Sequence, residues 1–180
     1  MKDDERIFDL LEAKIALPCY NVTNPSSSLA LTKDTDYFKL YTADTGLFTT
    51  LMFWGTSETS AEIYKKLLSD KLDADLGYLY ENAAAQIITA SGHELYFHVW
   101  QKEKSTHYFE VDFLLSSKGK IVPIEVKSSA VRNHESIKKF AEKYSSFVGT
   151  QFLVSQKDVG HAEQLLLRPL YMLPFILEDI

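Results

Sequence analysis

Hydrophobic periodicity divides the chain into elements. Between Asp4 and Ala16, Ile7, Leu10, Leu11 and Ile15 recur near helical spacing, which predicts an amphipathic helix. The run from Asn21 to Asp36, NVTNPSSSLALTKDTD, is polar and turn-rich and reads as a loop or an irregular hairpin. Phe38–Tyr41 reads as a short strand before a turn over Thr42–Leu47, and Thr59 or Ser60 can cap a helix through Leu68. Asp75–Ser91 reads as a helix ending at Gly92, a residue suited to the position just past a helix. Glu94–Gln101 is a strand, Lys102–Thr106 a polar turn, and Tyr108–Lys127 a hairpin. Asn133 is placed to cap a helix through Tyr144, and Gln151–Ser155 makes a further strand. The sum is an α/β fold, a mixed central β-sheet flanked by helices, with no internal repeat and no low-complexity linker.

The hairpin, YFEVDFLLSSKGKIVPIEVK, carries most of the chemistry. Phe109, Val111, Phe113 and Leu115 alternate with Tyr108, Glu110, Asp112 and Leu114; Val122, Ile124 and Val126 alternate with Ile121, Pro123, Glu125 and Lys127. One face of each strand is then apolar, and the other carries Glu110, Asp112, Glu125 and Lys127. If Lys118-Gly119 form a two-residue turn, Ser117 faces Lys120. Counting back puts Asp112 opposite Glu125 and Glu110 opposite Lys127, with Cβ atoms about 4.5–5.5 Å apart. Two opposed carboxylates repel, and a divalent cation removes that penalty. Oxygen-only ligands favour Mg²⁺ or Mn²⁺ over zinc. Lys127 would point into the same site, where it can orient an attacking water or stabilise charge on phosphoryl oxygens. The same letters also fit a solvated strand face in which Glu110–Lys127 is an ordinary cross-strand ion pair.

A third acid lies upstream. On the Asp75–Ser91 helix, Asn82, Gln86 and Thr89 fall on one stripe, read as the wet side, whereas Glu81 shares its stripe with Ala84, Ala85 and Ile88. A glutamate on a small, apolar face can serve as a metal ligand or a water-orienting group. It also fits a boundary residue held by a salt bridge at the edge of the core.

Glu81 on a helix, Asp112 on a strand and Glu125-x-Lys127 on the next resemble, in that order, the PD-(D/E)XK nuclease superfamily. More closely, the chain resembles the C-terminal domain, catalogued as domain of unknown function 4143, of bacterial and archaeal AAA-type ATPases. The resemblance rests on KLYTADTGLF (Lys39–Phe48), GYLYENAAAQ (Gly77–Gln86), EVDFLL (Glu110–Leu115), VPIEVKSS (Val122–Ser129) and RPLYMLPFIL (Arg168–Leu177). It implies a restriction-endonuclease-like fold and places Glu81, Asp112, Glu125 and Lys127 at the catalytic positions, with Asp112, Glu125 and Glu81 toward Mg²⁺ or Mn²⁺. Val111, not proline, precedes Asp112, so the superfamily's name is not literal here. On this resemblance residues 1–75 form an N-terminal helical and loop portion and residues 76–180 the nuclease-like core, in one compact unit. Full members add an ATPase with a G-x-x-x-x-G-K-[ST] loop, and the seven glycines here offer no such spacing. The chain therefore looks like the C-terminal portion alone, without ATP hydrolysis of its own. The implied activity is Mg²⁺-dependent hydrolysis of phosphodiester bonds in DNA. The alternative is a catalytically silent module that binds DNA or protein and docks with an ATPase domain.

Composition changes this picture at several points. A chain of 180 residues with 46% hydrophobic and 24% charged residues suits one soluble globular domain. Cys19, the only cysteine, excludes an internal disulfide and a cysteine zinc cluster and reads as a small buried hydrophobe. No leader-like N-terminus and no membrane-length apolar run is present, so a cytoplasmic location is expected. The net charge of −6 opposes tight binding to nucleic acid. It falls mostly on residues 1–75, with 8 basic and 13 acidic, against 11 and 12 afterwards. Arg132, Lys138, Lys139, Lys143 and Lys157 give a local positive segment that a phosphate backbone could approach, or a solvated helix face. Ser128 and Ser129 could contact phosphate or simply end the strand. The five histidines show no metal-ligand pairing; His107 and His134 are the ones that could lie near the site, though solvated or capping roles also suit them.

Overall fold

The computed structural model describes residues 2–26, 28–55, 57, 59–69, 76–103, 105–128 and 134–180. Ser129, Arg132 and Asn133, considered above, lie outside these residues. The first half comprises α1 (Lys2–Glu12), β1 (Ala16–Val22), β2 (Lys33–Thr42), α2 (Thr45–Met52), α3 (Ser60–Leu68) and α4 (Leu76–Ala90). Then follow β3 (Leu95–Gln101), β4 (Tyr108–Val111), β5 (Phe113–Ser117), β6 (Lys120–Val126) and α5 (Glu135–Lys143). The chain closes with β7 (Gln151–Ser155), β8 (Gly160–Ala162), β9 (Leu165–Pro169) and α6 (Leu173–Glu178). The result is a mixed α/β fold with two mixed sheets, ordered β2-β1-β3-β4 and β5-β6-β7-β9-β8.

Several expected boundaries hold to within a residue or two. Helix α4 ends in a Schellman motif: Gly92 has φ of 87°, its N–H bonds to Thr89, and the His93 N–H reaches back to Ile88. Thr59 caps α3 reciprocally with Glu62, whose carboxylate accepts from the Thr59 N–H at 2.8 Å. Lys118 and Gly119 both have positive φ, 50° and 76°, as a type I′ turn requires, and Ser117 faces Lys120.

Other expectations are corrected. The Thr42–Leu47 turn is shorter than expected: Thr42 ends β2, and α2 begins at Thr45. Asp44 is its N-cap, accepting from the Leu47 N–H at 2.6 Å, and a Cβ on Gly46 would lie 2.9 Å from the same carboxylate. Residues 1–75 are more than helix and loop. They supply β1 and a ten-residue β2, and β1 lies between β2 and β3. Pro18 is tolerated in this central strand because the ladder to β3 begins only at Cys19.

The hydrophobic core lies on both faces of the sheets. On one side Phe97, Phe113, Ile124 and Val126 pack with Ala84, Ala85 and Ile88 of α4 and Leu173 of α6. On the other, Tyr96, Val111, Leu114 and Ile121 pack with Phe140 of α5. Burying each large side chain contributes about 1.5–3 kcal/mol. Because both faces are covered, β6 has no solvated face: every one of its residues after Lys120 is buried.

Candidate acid site at the junction of the two sheets

Uninterrupted alternation from Tyr108 to Leu115 would place Val111 and Phe113 on one face. They pack on opposite faces, Val111 toward α5 and Phe113 toward α4. The side-chain order therefore slips by one at Asp112, the single residue between β4 and β5. Inserting one residue in a strand bends it and re-aims a side chain. Here the bend carries the chain from one sheet to the other, and the carboxylate sits at the junction.

The β5–β6 ladder ends where Phe113 faces Ile124, so Asp112, expected directly opposite Glu125, lies one residue beyond it and reaches that strand through its side chain. Asp112 Oδ2 accepts from the Val126 N–H at 2.7 Å. Glu125 Oε1 is 2.7 Å from Lys127 Nζ, while Glu125 Oε2 is buried and has no hydrogen-bond partner. The backbone of Lys127 is tied to β7 through its N–H to the Val154 carbonyl at 2.9 Å.

The expected Glu110–Lys127 pair does not form. Once the strand bends at Asp112, Glu110 stays with β4 and β3 and pairs instead with Lys39 of β2. Helix α4 brings Glu81 toward the same region on a stripe with Ala84, Ala85 and Ile88, all fully buried. Glu81 Oε2 accepts from the Tyr41 hydroxyl at 3.3 Å. The stripe read as wet is so only at its far end: Thr89 is exposed and Gln86 half-buried, but Asn82 is 1% exposed. Its amide oxygen accepts from the Thr42 N–H at 2.8 Å, and its amide nitrogen donates to the Thr42 carbonyl at 3.1 Å.

The carboxylates hold their protons abnormally well. Burial, then the charge of Asp112, raises Glu125 to about 8 against the pull of Lys127. Burial and Asp112 likewise raise Glu81 to about 7, with Lys39 opposing. Asp112 is raised by burial despite Lys127, the Val126 N–H and Lys39. Burial alone would lower both lysines, but Glu110 raises Lys39 and Glu125 raises Lys127, so both end higher. Such an arrangement lacks positive charge for its number of carboxylates.

Among the described residues, no group of three or more His, Cys, Asp or Glu is arranged to hold a metal ion. Asp112 and Glu125 are the pair that fits one. They are oxygen donors, both buried, and Glu125 Oε2 is an orphaned acceptor, an atom that a hard cation would satisfy.

Lys39 and Tyr41 were missed by sequence reasoning. Their two-residue spacing on β2, which aims both to one side, was the available signal. His98 is buried away from the acids. Its Nδ1 donates to the Val22 carbonyl at 2.6 Å, Nε2 lies 3.1 Å from the Tyr144 hydroxyl, and its ring stacks on Trp100. The positive segment is largely engaged: Lys138 pairs with Glu163, Lys139 pairs with Glu142, and Lys143 lies over Trp100 and Tyr144. Cys19 is fully buried, and burial pushes its thiol pKa up.

A protein family described as Domain of unknown function (DUF4143) matches residues 76–167, just over half of the chain. The chain belongs to the DUF4143 family. The matched stretch of this DUF4143 protein holds Glu81, Asp112, Glu125 and Lys127, while Lys39 and Tyr41 precede it. No curated protein matches the chain. Protein VC1899 from Vibrio cholerae, a crystal structure, is similar at 15% identity and a TM-score of 0.35. The alignment covers 99% of the DUF4143 chain and 41% of VC1899, so the chain spans less than half of that protein's length. Among the described residues no helix is long and apolar enough to cross a membrane.

Proposed function

We propose that this DUF4143 chain is a PD-(D/E)XK-like, Mg²⁺- or Mn²⁺-dependent phosphodiesterase acting on DNA. The observation that carries the reading is the buried Asp112–Glu125 pair with an unpartnered carboxylate oxygen and Lys127 at 2.7 Å. Asp112 and Glu125 would hold the cation, and Glu81 would assist coordination or water placement. When bound, the cation supplies Lewis-acid stabilisation of the phosphoryl oxygens and lowers the pKa of a water. The Lys127 ammonium, fixed by Glu125 and by its backbone bond to β7, orients the attacking water or meets charge developing on the phosphoryl group. As the water oxygen bonds to phosphorus, the water releases a proton to solvent, and the leaving sugar oxygen departs with its bonding pair and takes up a proton from solvent. Burial strengthens each of these charge interactions.

The test is cleavage of supercoiled and single-stranded DNA with Mg²⁺ or Mn²⁺, alongside metal binding by calorimetry. Asp112→Asn should lose both metal uptake and cleavage. Lys127→Ala should lose cleavage by about 10² or more while keeping metal uptake. Purified protein that neither takes up metal nor cuts any DNA form sinks the reading.

One observation favours a second reading, a docking module for a partner such as an AAA-type ATPase domain. Leu47, Leu51 and Trp54 lie at helical spacing along α2 and just beyond it, and are 37%, 55% and 78% exposed. On this reading, Leu51→Asp with Trp54→Asp should abolish ATPase-domain binding, and Lys127→Ala should leave it unchanged.

A further inference from the structure

Asp112 and Glu125 are buried, but the charged side chains coupled to them open to solvent: Lys39 is 27% exposed, Lys127 33% and Glu110 38%. Lys39 comes from β2, outside the matched family stretch, and is held there by contacts from several elements. The end of β2 is pinned to the Glu81 helix by three Asn82–Thr42 bonds and by Gln86 Nε2 to the Thr42 carbonyl at 3.2 Å. Lys39 Nζ lies 4.9 Å from the centre of the Phe97 ring and pairs with Glu110. Two residues on, Tyr41 donates to Glu81. The N-terminal hairpin thus delivers both an ammonium and a hydroxyl to the acid site.

The two lysines differ in how replaceable their partners are. Lys127 is bound to a carboxylate that is 4% exposed, so separating them would strand a buried charge. Glu110 can return to water, and a partly exposed pair of this kind contributes only about 0–1 kcal/mol. A phosphate group offers Lys39 a stronger charge-assisted bond than the one it gives up. We propose that Lys39 is an anion-anchoring residue of the acid site, taking a phosphate of the phosphodiester substrate in exchange for Glu110. The inference rests on the phosphodiesterase reading above and extends the site to residues before position 76.

The test is binding of a fluorescent single-stranded oligothymidylate by the full chain in EDTA, across a salt series. Lys39→Gln should weaken binding about tenfold and reduce the slope of log K against log salt by about 0.7, one phosphate contact fewer. Lys39→Arg should restore the slope, which a merely structural role would not move. Glu110→Gln, which leaves Lys39 unpaired, should tighten binding several-fold. An unchanged slope in Lys39→Gln, with metal uptake still dependent on Asp112, overturns the role of Lys39 and leaves the acid site standing. No binding of single- or double-stranded DNA by the unmodified chain overturns both. If Lys39→Gln does not fold, Glu110→Gln decides: unchanged or weaker affinity overturns the proposal.

Discussion

At the scale of single residues, the acid site gathers buried carboxylates with too little positive charge to balance them. Asp112 is buried with its carboxylate oxygen on the Val126 N–H and the Glu125 carboxylate as electrostatic neighbour. Asparagine keeps the acceptor for Val126 and, at a pH above the raised value of Glu125 (about 8), removes one of the two negative charges. Asp112→Asn should therefore raise stability in EDTA by about 1–2 kcal/mol, a shift of about 2–8 °C in Tm for a chain of this size. On the proposed function the unmodified protein should gain stability with Mg²⁺ and this variant should not; calorimetric scans with and without Mg²⁺ check both, and a variant less stable in EDTA contradicts the prediction. His98 makes an opposite kind of prediction. Burial lowers its pKa to about 4, Lys143 adds to that, and the Val22 carbonyl opposes it. Between about 4 and the unfolded value near 6.5, the unfolded chain binds the extra proton, so stability rises with pH there. Its contribution is complete above pH 6.5 and lost as pH falls toward 4, about 3 kcal/mol in all. Urea midpoints of the unmodified chain and His98→Asn, which keeps a donor for Val22, should converge over that window. Parallel curves would show that His98 titrates normally. Glu81 and Glu125, with raised values, push the other way across higher pH in both proteins and cancel in the difference.

At the scale of elements, the chain was legible wherever local chemistry alone decides the conformation. The Gly92 motif ends α4, the Thr59–Glu62 pair starts α3, and Lys118-Gly119 sets the β5–β6 register. Each is a short-range signal with a specific backbone requirement. The slip at Asp112 was not legible, because alternation of letters continues unbroken through a bulge. Helix α2 was hidden for a related reason. Thr-Ala-Asp-Thr-Gly is turn-like in composition, yet Asp44 acts as a cap and Gly46 makes room for its carboxylate. Strand β1 contains Pro18, which argues against a central strand unless one neighbour's ladder starts after it. The turn itself still carries strain. Lys118 takes a left-handed φ of 50° that asparagine adopts at lower cost. Lys118→Asn should stabilise the protein by about 0.5–1 kcal/mol, read as an increased denaturant midpoint with an unchanged m-value. A lower midpoint would mean that the Lys118 side chain does more than fill a turn.

At the scale of the whole molecule, the acid site cuts across the division at residue 75 that the sequence suggested. Lys39 and Tyr41 come from before it, and Glu81, Asp112, Glu125 and Lys127 from after it. Strand β1 is sandwiched between β2 and β3, so the first sheet cannot form from either part alone. The Asn82–Thr42 bonds then join that sheet to the helix bearing Glu81. This connectivity predicts one cooperative unfolding transition rather than two. Asn82 offers the sharpest way to test it, because alanine there leaves the half-buried Thr42 N–H without its side-chain acceptor and the Thr42 carbonyl with Gln86 as its one side-chain donor. Asn82→Ala should cost about 1–3 kcal/mol, and the loss should appear in every probe together. Far-UV circular dichroism and the fluorescence of Trp100, in a Trp54→Phe background, should keep a common midpoint as it falls. A biphasic curve, in which one probe moves ahead of the other, would mean that the hairpin opens independently of α4. In that case Lys39 and Tyr41 could leave the acid site while the second sheet stayed folded, and the contribution of residues 1–75 to phosphate binding would be conditional on a local opening equilibrium rather than built into the native state.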